Sequence, residues 1–574
     1  MKYRWVFEPP HSETNTLMET LNVPRGIAQV LLNRGVSSME EARYFLKPTL
    51  DDLHNPFLMQ GMDRAVERIA AALQAGEAIM VYGDYDVDGT TATTLLYLFL
   101  RALAENVSYY IPNRMHEGYG LSYTGIQEAQ RRGVSLILSV DCGITAVEEV
   151  RYARSIGIDV IVIDHHMPGD ELPDGVAVLN PKRPDCSYPF KELCGVGLAY
   201  KTAQALAEQI GLPDHVLYPH LDLVAMGTTA DIVPLRNENR ILTKHGLAMM
   251  QQTQKAGLQA LIDAAGLREK DLTTDQLVFG LAPRINAAGR MGDASRVVRL
   301  LTTEERQEAT ELAAELNFEN QRRRQQDTVA FQEAKGIVEA DPFLKEASGL
   351  VLASSEWHPG VIGIVASRLV EAYLRPTIMI AVEGGVGRGS ARTMGDFHLY
   401  NALKECADLL IQFGGHHHAA GLSIEEKQID AFRMRFHEVV SARATPTDFI
   451  QKLTIDTELE LSEITPRMVK LLKMLAPFGP ENHHPVFVTR RLSLVGGPNL
   501  IGNERNHLKF RVRKGDQVFE AIGFGMAGYA DRLRANPDAI DLAYTVEENT
   551  WNGQTTIQLR LKDIGAGEPD GPSR

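Results

Sequence analysis

Between residues 76 and 235 short apolar runs alternate with amphipathic stretches. AIMVYGD, VSYYIP, SLILSVD, DVIVIDHH and VAVLN read as buried strands. TATTLLYLFLRALA, TGIQEAQRRG and TAVEEVRYARSIG, lying between them, read as helices. Strand–helix alternation predicts a parallel α/β sheet. Residues 1–50 read as a small helical segment. TTEERQEATELAAELNFENQRRRQQDTVAFQEA has no Gly or Pro. It predicts one long, largely solvated helix over 301–340, about 50 Å long at ~1.5 Å per residue, able to join two lobes.

A second α/β region follows. GLVLASSEWHPGVIGIVASRLVEAY reads as strand, loop and helix, and PTIMIAVEGGVGRGSAR as paired strands. From 446 to 565 short strands punctuated by turns predict a small β-barrel or sandwich. The expected divisions are 1–50, an α/β domain over 51–300, the helix 301–340, a second α/β domain over 341–445, the β domain 446–565, and a disordered tail at 566–574.

Composition changes this picture little. The net charge of -15 argues against a uniformly basic nucleic-acid binder, but a global sum does not exclude a local basic groove. The four cysteines form no CxxC pair, which argues against a disulfide framework and a cysteine-based structural zinc site and fits a reducing cytoplasm. MKYRWVFEPP lacks the apolar core of a signal peptide, and runs such as Leu95–Leu100 are too short to span a bilayer. A soluble cytoplasmic protein is expected.

The candidate chemistry sits at strand ends. AIMVYGD runs into Asp84, with Asp86 and Asp88 close behind; SLILSVD ends at Asp141; DVIVID ends at Asp164, followed by His165 and His166. In a parallel sheet such ends share one edge, where loops form the functional crevice. Asp231 follows another apolar run. Converging carboxylates with an imidazole suit Mn²⁺ or Mg²⁺, and there are ligands enough for two ions sharing a carboxylate. Each Asp alone reads equally well as a helix cap or turn former. Acid at three strand ends favours the metal reading. In HLKFRVRKG, period two puts Lys509, Arg511 and Arg513 on one strand face, opposite Phe510 and Val512. A basic face on a small barrel can track a nucleic-acid backbone.

DYDVDG, the Asp141 strand end, DHH at Asp164–His166 and GTTAD at Gly227–Asp231 resemble, in that order, the four motifs of the DHH phosphoesterase superfamily. The first is most similar to the RecJ branch, which carries D-Y-D-x-D-G where other members carry His-x-x-x-Asp-x-Asp. Asp84 then stands either as a ligand near the absent His or as support for the ligands. The resemblance implies Asp86 and Asp88 as ligands, Asp141 as a bridge, and His165 and Asp231 completing the second ion's site. Asp164 and His166 would orient ligands or contact the phosphate.

Further segments resemble the same branch: PNRMHEGYGL with Arg114, LCGVGLAYK with Gly195 and Gly197, APRINAAGRM with Arg284, Asn286 and Arg290, and SEWHPGVIGIVASRL with His358. GSAR and GGHHHAAG resemble the DHHA1 domain and imply substrate contacts by Ser390, Arg392 and His416. His417 and His418 match no family role; adjacent histidines otherwise read as a local metal tract or a polar loop. Arg114 and Arg290 read equally as ion-pair partners, and Arg322–Arg324 as a solvated helix face. The β domain lies where the branch has its OB-fold.

The resemblance implies a 5′→3′ exonuclease specific for single-stranded DNA, releasing 5′-mononucleotides by two-metal hydrolysis in recombination and repair. It implies a monomer, a gap between lobes that admits one strand but no duplex, and protein partners such as a helicase or single-strand-binding protein. The rivals are a DHH phosphodiesterase of short oligonucleotides or cyclic dinucleotides, which generally lacks the C-terminal β region, and a non-catalytic DHH scaffold, which would have lost ligands.

Overall fold

The computed structural model describes residues 3–114, 116–551 and 553–566. The chain divides into two compact units. One comprises Lys47–Arg324 with Pro477–His483; the other comprises Met1–Leu46, Gln325–Ala476 and His484–Arg574.

The first unit is built on a five-stranded, wholly parallel sheet. Its order is Val107–Tyr110, Ile79–Gly83, Leu136–Val140, Asp159–Ile163, Ala177–Leu179. Ile79–Gly83 and Leu136–Val140 are buried throughout, which is why they show no polar alternation. The helices Val87–Arg101, Tyr123–Arg131 and Val147–Ser155 make the crossovers. From Ile79–Gly83 the chain goes first to one neighbour and then to the other. This reversal of strand order opens a crevice at the carboxyl ends of Ile79–Gly83 and Leu136–Val140. The apolar run before Asp231 is a helix, Leu221–Ala230, buried from Leu221 to Thr229. The short return at Pro477–His483 is tied in through its carbonyls: Leu235 N–H donates to that of Pro480 and Thr274 Oγ1 to that of Phe478.

Besides a two-stranded pair, the second unit holds two larger sheets of different kinds. The mixed sheet runs Gln412–Gly415, Ala419–Glu425, Val386–Arg392, Thr377–Glu383, Leu350–Ser354, with only the last pair parallel. The other is a closed barrel of Phe487–Ile501, His507–Lys514, Gln517–Gly523, Gln554–Ala566 and Ile540–Trp551. It shuts where Phe487–Ile501 pairs back with Ile540–Trp551. Leu508, Phe510 and Val512 point into it.

Three expectations need correction. The first fifty residues are not all helical: Arg4–Phe7 is a strand paired in parallel with Lys452–Ile455, a partner more than 400 residues away that no local pattern announces. The long helix spans Arg306–Ala340, starting after a break at Thr303, whose backbone is extended. Most of its positions are solvent-exposed, as expected, but a narrow stripe is not: Ala309, Leu312, Ala313 and Leu316 are buried in the core of the first unit and Ala330, Ala334 and Val338 in that of the second. Ala566 ends the last strand, and the rest of the expected tail lies outside the described residues. Among the described residues no helix is long and apolar enough to cross a membrane.

Candidate active site

The strand-end acids converge. Within 4.8 Å of one another lie ligand atoms of three groups: Asp84, Asp86 and Asp141; Asp88, His165 and Asp231; Asp141, His165 and His166. Asp141 and His165 each join two groups, which gives the cluster two halves with a shared middle. His165 Nε2 is 3.1 Å from Asp141 Oδ1, 3.6 Å from Asp231 Oδ2 and 3.9 Å from Asp88 Oδ2.

Local structure holds each group. Asp86 caps the helix Val87–Arg101, accepting from Gly89 N–H at 3.0 Å, so the capping and metal readings of this residue coexist on one carboxylate. Asp88 is clamped at the start of the helix Gly195–Gln209, accepting from Gly195 N–H at 2.5 Å and Val196 N–H at 2.8 Å. A helix N-terminus suits a carboxylate in this way. A Cβ on Gly195 would lie 2.6 Å from Asp141 Cβ, so only glycine admits this approach. Asp141 itself has φ 60°, a left-handed conformation that Asp tolerates and that turns its carboxylate into the crevice.

Asp164 does something different. Its Oδ2 accepts from Ile144 N–H at 2.9 Å, and its Oδ1 lies 2.7 Å from His166 Nδ1. With both oxygens engaged, it orients His166 and the turn after Asp141. Sequence reading missed Tyr119, which lies in the segment singled out only for Arg114. Its hydroxyl donates to the Asp141 carbonyl at 3.2 Å and sits 3.1 Å from His166 Nδ1. It also missed the Gly195 and Val196 amides, which leave no side-chain signal.

The electrostatics test whether metal fits. Asp84 Oδ1, Asp141 Oδ1, Asp231 Oδ2 and both His165 ring nitrogens are buried without a hydrogen-bond partner. Each such atom costs ~1–3 kcal/mol if nothing satisfies it. Burial, with Asp86's charge added, pushes Asp84 up to about 8 and Asp88 to about 7. Burial and then Asp88 and Asp86 push Asp231 up to about 9, and burial and the same neighbours raise Asp141 well above its usual range. Burial takes His165 down to about 3, leaving a neutral imidazole able to ligate. Burial also opposes the charge on His166, but its bond to Asp164 wins and raises it. Converging carboxylates, orphaned lone pairs and one neutral imidazole form the donor set that Mn²⁺ or Mg²⁺ takes.

Carboxyls near 3.8 in the unfolded chain and at 7–9 in the metal-free fold bind more protons folded than unfolded. Their contribution to stability therefore falls as pH rises through that window, and divalent ions displace the same protons. Scanning calorimetry of metal-stripped protein should show a larger Mn²⁺-induced rise in Tm at about pH 9 than at about pH 6. An equal rise at both would contradict the site described.

The remaining candidates lie outside the cluster. The Arg114 guanidinium carbon is 5.1 Å from the Tyr85 ring centre, and the charges of Arg114 and Arg290 both act on the Tyr85 phenol. The helix Ala282–Met291, which carries Arg290 and half-buried Asn286, abuts this loop so closely that a Cβ on Gly289 would lie 2.5 Å from the Tyr85 carbonyl oxygen. Arg284, on the same helix, is spent on Asn317 Oδ1 at 3.0 Å and on the carbonyls of Gly280 and Ala264.

In the second unit Arg392 donates to Ser390 Oγ at 3.0 Å, and burial pulls its pKa down. A Cβ on Gly363 would lie 2.9 Å from both groups, so the first turn of the helix Ile362–Tyr373 closes over them. His358 Nδ1 accepts from Gly360 N–H at 2.9 Å just before that helix. His416 is exposed between Gln412–Gly415 and Ala419–Glu425. On the barrel Arg511 and Arg513 are exposed and Lys509 is half-buried, 3.0 Å from Glu520.

Comparison with known proteins places this arrangement. Three family models match: the DHH family N-terminal domain over 78–228, the DHHA1 domain over 346–442 and the RecJ OB domain over 455–563. The chain is 38% identical over 570 residues to the single-stranded-DNA-specific exonuclease RecJ of Bacillus subtilis, covering 99% of this chain and 71% of that protein. It is 36% identical to that of Escherichia coli, covering 95% and 97%. The chain belongs to the RecJ family. The crystal structure of Thermus thermophilus RecJ in complex with Mn²⁺ superposes with a TM-score of 0.83 at 32% identity, covering 99% of this chain and 80% of that one. RecJ from the same organism has also been solved in complex with Mg²⁺.

Proposed function

We propose that this RecJ-family chain hydrolyses single-stranded DNA from its 5′ end, releasing 5′-mononucleotides, in recombination and repair. The observation that carries this is near-full-length kinship with single-stranded-DNA-specific exonucleases, combined with an intact ligand set at the sheet edge. Asp84, Asp86, Asp88, Asp141, His165 and Asp231 would hold two divalent ions. Bound there, Mn²⁺ or Mg²⁺ supplies Lewis acidity toward the scissile phosphate and lowers the pKa of the attacking water.

The protein's own groups do the positioning. The Gly195 and Val196 amides fix Asp88. Asp164 and Tyr119 fix the His166 ring, whose raised pKa favours a charged donor toward a phosphate oxygen. Arg114 and Arg290 flank Tyr85, where they offset backbone charge. The test is digestion of single- and double-stranded DNA with and without Mn²⁺ or Mg²⁺. Metal-dependent loss of the single strand alone is expected; equal digestion of duplex would overturn strand specificity.

Ser390, Arg392 and His416 form the proposed pocket for the DNA 5′ end. A charge-assisted hydrogen bond is worth ~1.5–3 kcal/mol. Arg392→Ala should therefore lower the preference for a 5′-phosphate over a 5′-hydroxyl by about tenfold or more. An unchanged ratio would mean the end is read elsewhere, with Arg114 the next residue to test.

A further inference from the structure

The histidines that the nuclease reading leaves without a role are held together by the fold. Thr393 N–H donates to the His418 carbonyl at 3.0 Å and Leu399 N–H to the His417 carbonyl at 2.9 Å. These bonds lash the turn before Ala419–Glu425 to the segment carrying His398. Three imidazoles meet as a result. The ring centres of His398 and His417 are 4.6 Å apart, and those of His417 and His418 are 4.3 Å apart.

The Nδ1 atoms of His417 and His418 lie 3.3 Å from each other. Two nitrogens bound tetrahedrally at ~2.0–2.1 Å from Zn²⁺ are about 3.4 Å apart, so these atoms already span one edge of such a site. His398 Nδ1 accepts from Asn401 N–H at 3.4 Å. The ligand atoms of all three rings do not yet converge, and bringing His398 in takes a side-chain rotation that gives up this weak bond, for which the exposed ring has room. The Asp396 charge also acts on His417.

We propose that His398, His417 and His418 form a second metal site, separate in chemistry from the carboxylate centre, that takes a late first-row divalent ion such as Zn²⁺. Imidazole nitrogens suit Zn²⁺, Ni²⁺ and Cu²⁺; Mg²⁺ prefers oxygen, and Mn²⁺ stands lowest in the affinity order for nitrogen sites. Burial and then the neighbouring His418 and His398 lower the His417 pKa, which favours the neutral ligand form. The ion would clamp the turn that begins at His416. If His416 contacts the DNA 5′ end, as proposed above, occupancy also tunes end recognition. That consequence rests on the preceding reading; the site itself does not.

Full-length protein saturated with Mn²⁺ is dialysed against Zn²⁺ as wild type, as His417→Ala/His418→Ala and as His398→Asn. Asn keeps the helix cap that His398 supplies to Leu399–Lys404 while removing the ring. The expected result is one Zn²⁺ fewer per chain in the double variant and at least tenfold weaker Zn²⁺ binding in His398→Asn, with unchanged Mn²⁺ content and circular dichroism. Zn²⁺ stoichiometry and affinity equal to wild type in both variants would overturn the site and leave His417 and His418 as mere hydrogen-bond partners. Separately, Zn²⁺ should change the ratio of cleavage rates on 5′-phosphate and 5′-hydroxyl strands in wild type only. Failure of that arm with binding intact removes the link to His416 and keeps the site.

Discussion

Asp141→Asn is expected to reduce DNA hydrolysis by about a thousandfold or more, equivalent to ~4 kcal/mol of barrier, while single-stranded DNA affinity stays largely intact. Asn is chosen because it tolerates the left-handed backbone at this position, where Ala would add strain to the loss of charge. Asp141 belongs to two of the three ligand groups, so its removal damages both halves of the cluster at once. Most proposed DNA contacts are made by other residues, so binding should survive. The measurement is single-turnover hydrolysis beside a binding titration. Turnover like wild type would remove the two-ion reading.

The second large effect concerns the barrel. Along His507–Lys514 the burial alternates, with Leu508, Phe510 and Val512 inside and Arg511 and Arg513 exposed. If Lys509, Arg511 and Arg513 neutralise phosphates, log affinity for a single strand falls with log salt by about 0.7 for each. Replacing all three with Ala should flatten the slope by up to about 2 and weaken binding of long strands at low salt. The loss falls short of that limit to the extent that Glu520 already neutralises Lys509. Short oligonucleotides that reach only the metal cluster should be cut nearly normally, whereas a folding defect would depress both substrates. An unchanged salt slope in a catalytically dead background would mean the barrel is not a DNA track.

How much was legible in the sequence depended on where each signal resides. The buried parallel strands announced themselves because burial on both faces removes polar alternation, as in Ile79–Gly83 and Leu136–Val140. Their terminal acids were readable for the same reason: a charge that ends an apolar run stands out. The barrel strand His507–Lys514 was readable from period two. What escaped is non-local or carried by backbone. The pairing of Arg4–Phe7 with Lys452–Ile455 joins segments more than 400 residues apart. The Asp88 clamp consists of two amides. Arg284 sits in a motif beside Asn286 and Arg290, yet its guanidinium turns to Asn317, a choice that spacing alone does not reveal. The long helix was legible as a mostly solvated span, but its small buried residues, Ala309, Ala313, Ala330 and Ala334, make a stripe too narrow to show through its charge density.

The central claim is an exonuclease that enters single-stranded DNA at its 5′ end. It is tested most directly by following product release from one oligonucleotide labelled separately at each end, with Mn²⁺ present. The account predicts that the 5′ label appears at once as a mononucleotide, while the 3′ label stays on strands that shorten progressively. Release of the 3′ label first, or internal fragments from both labelled strands, would contradict it.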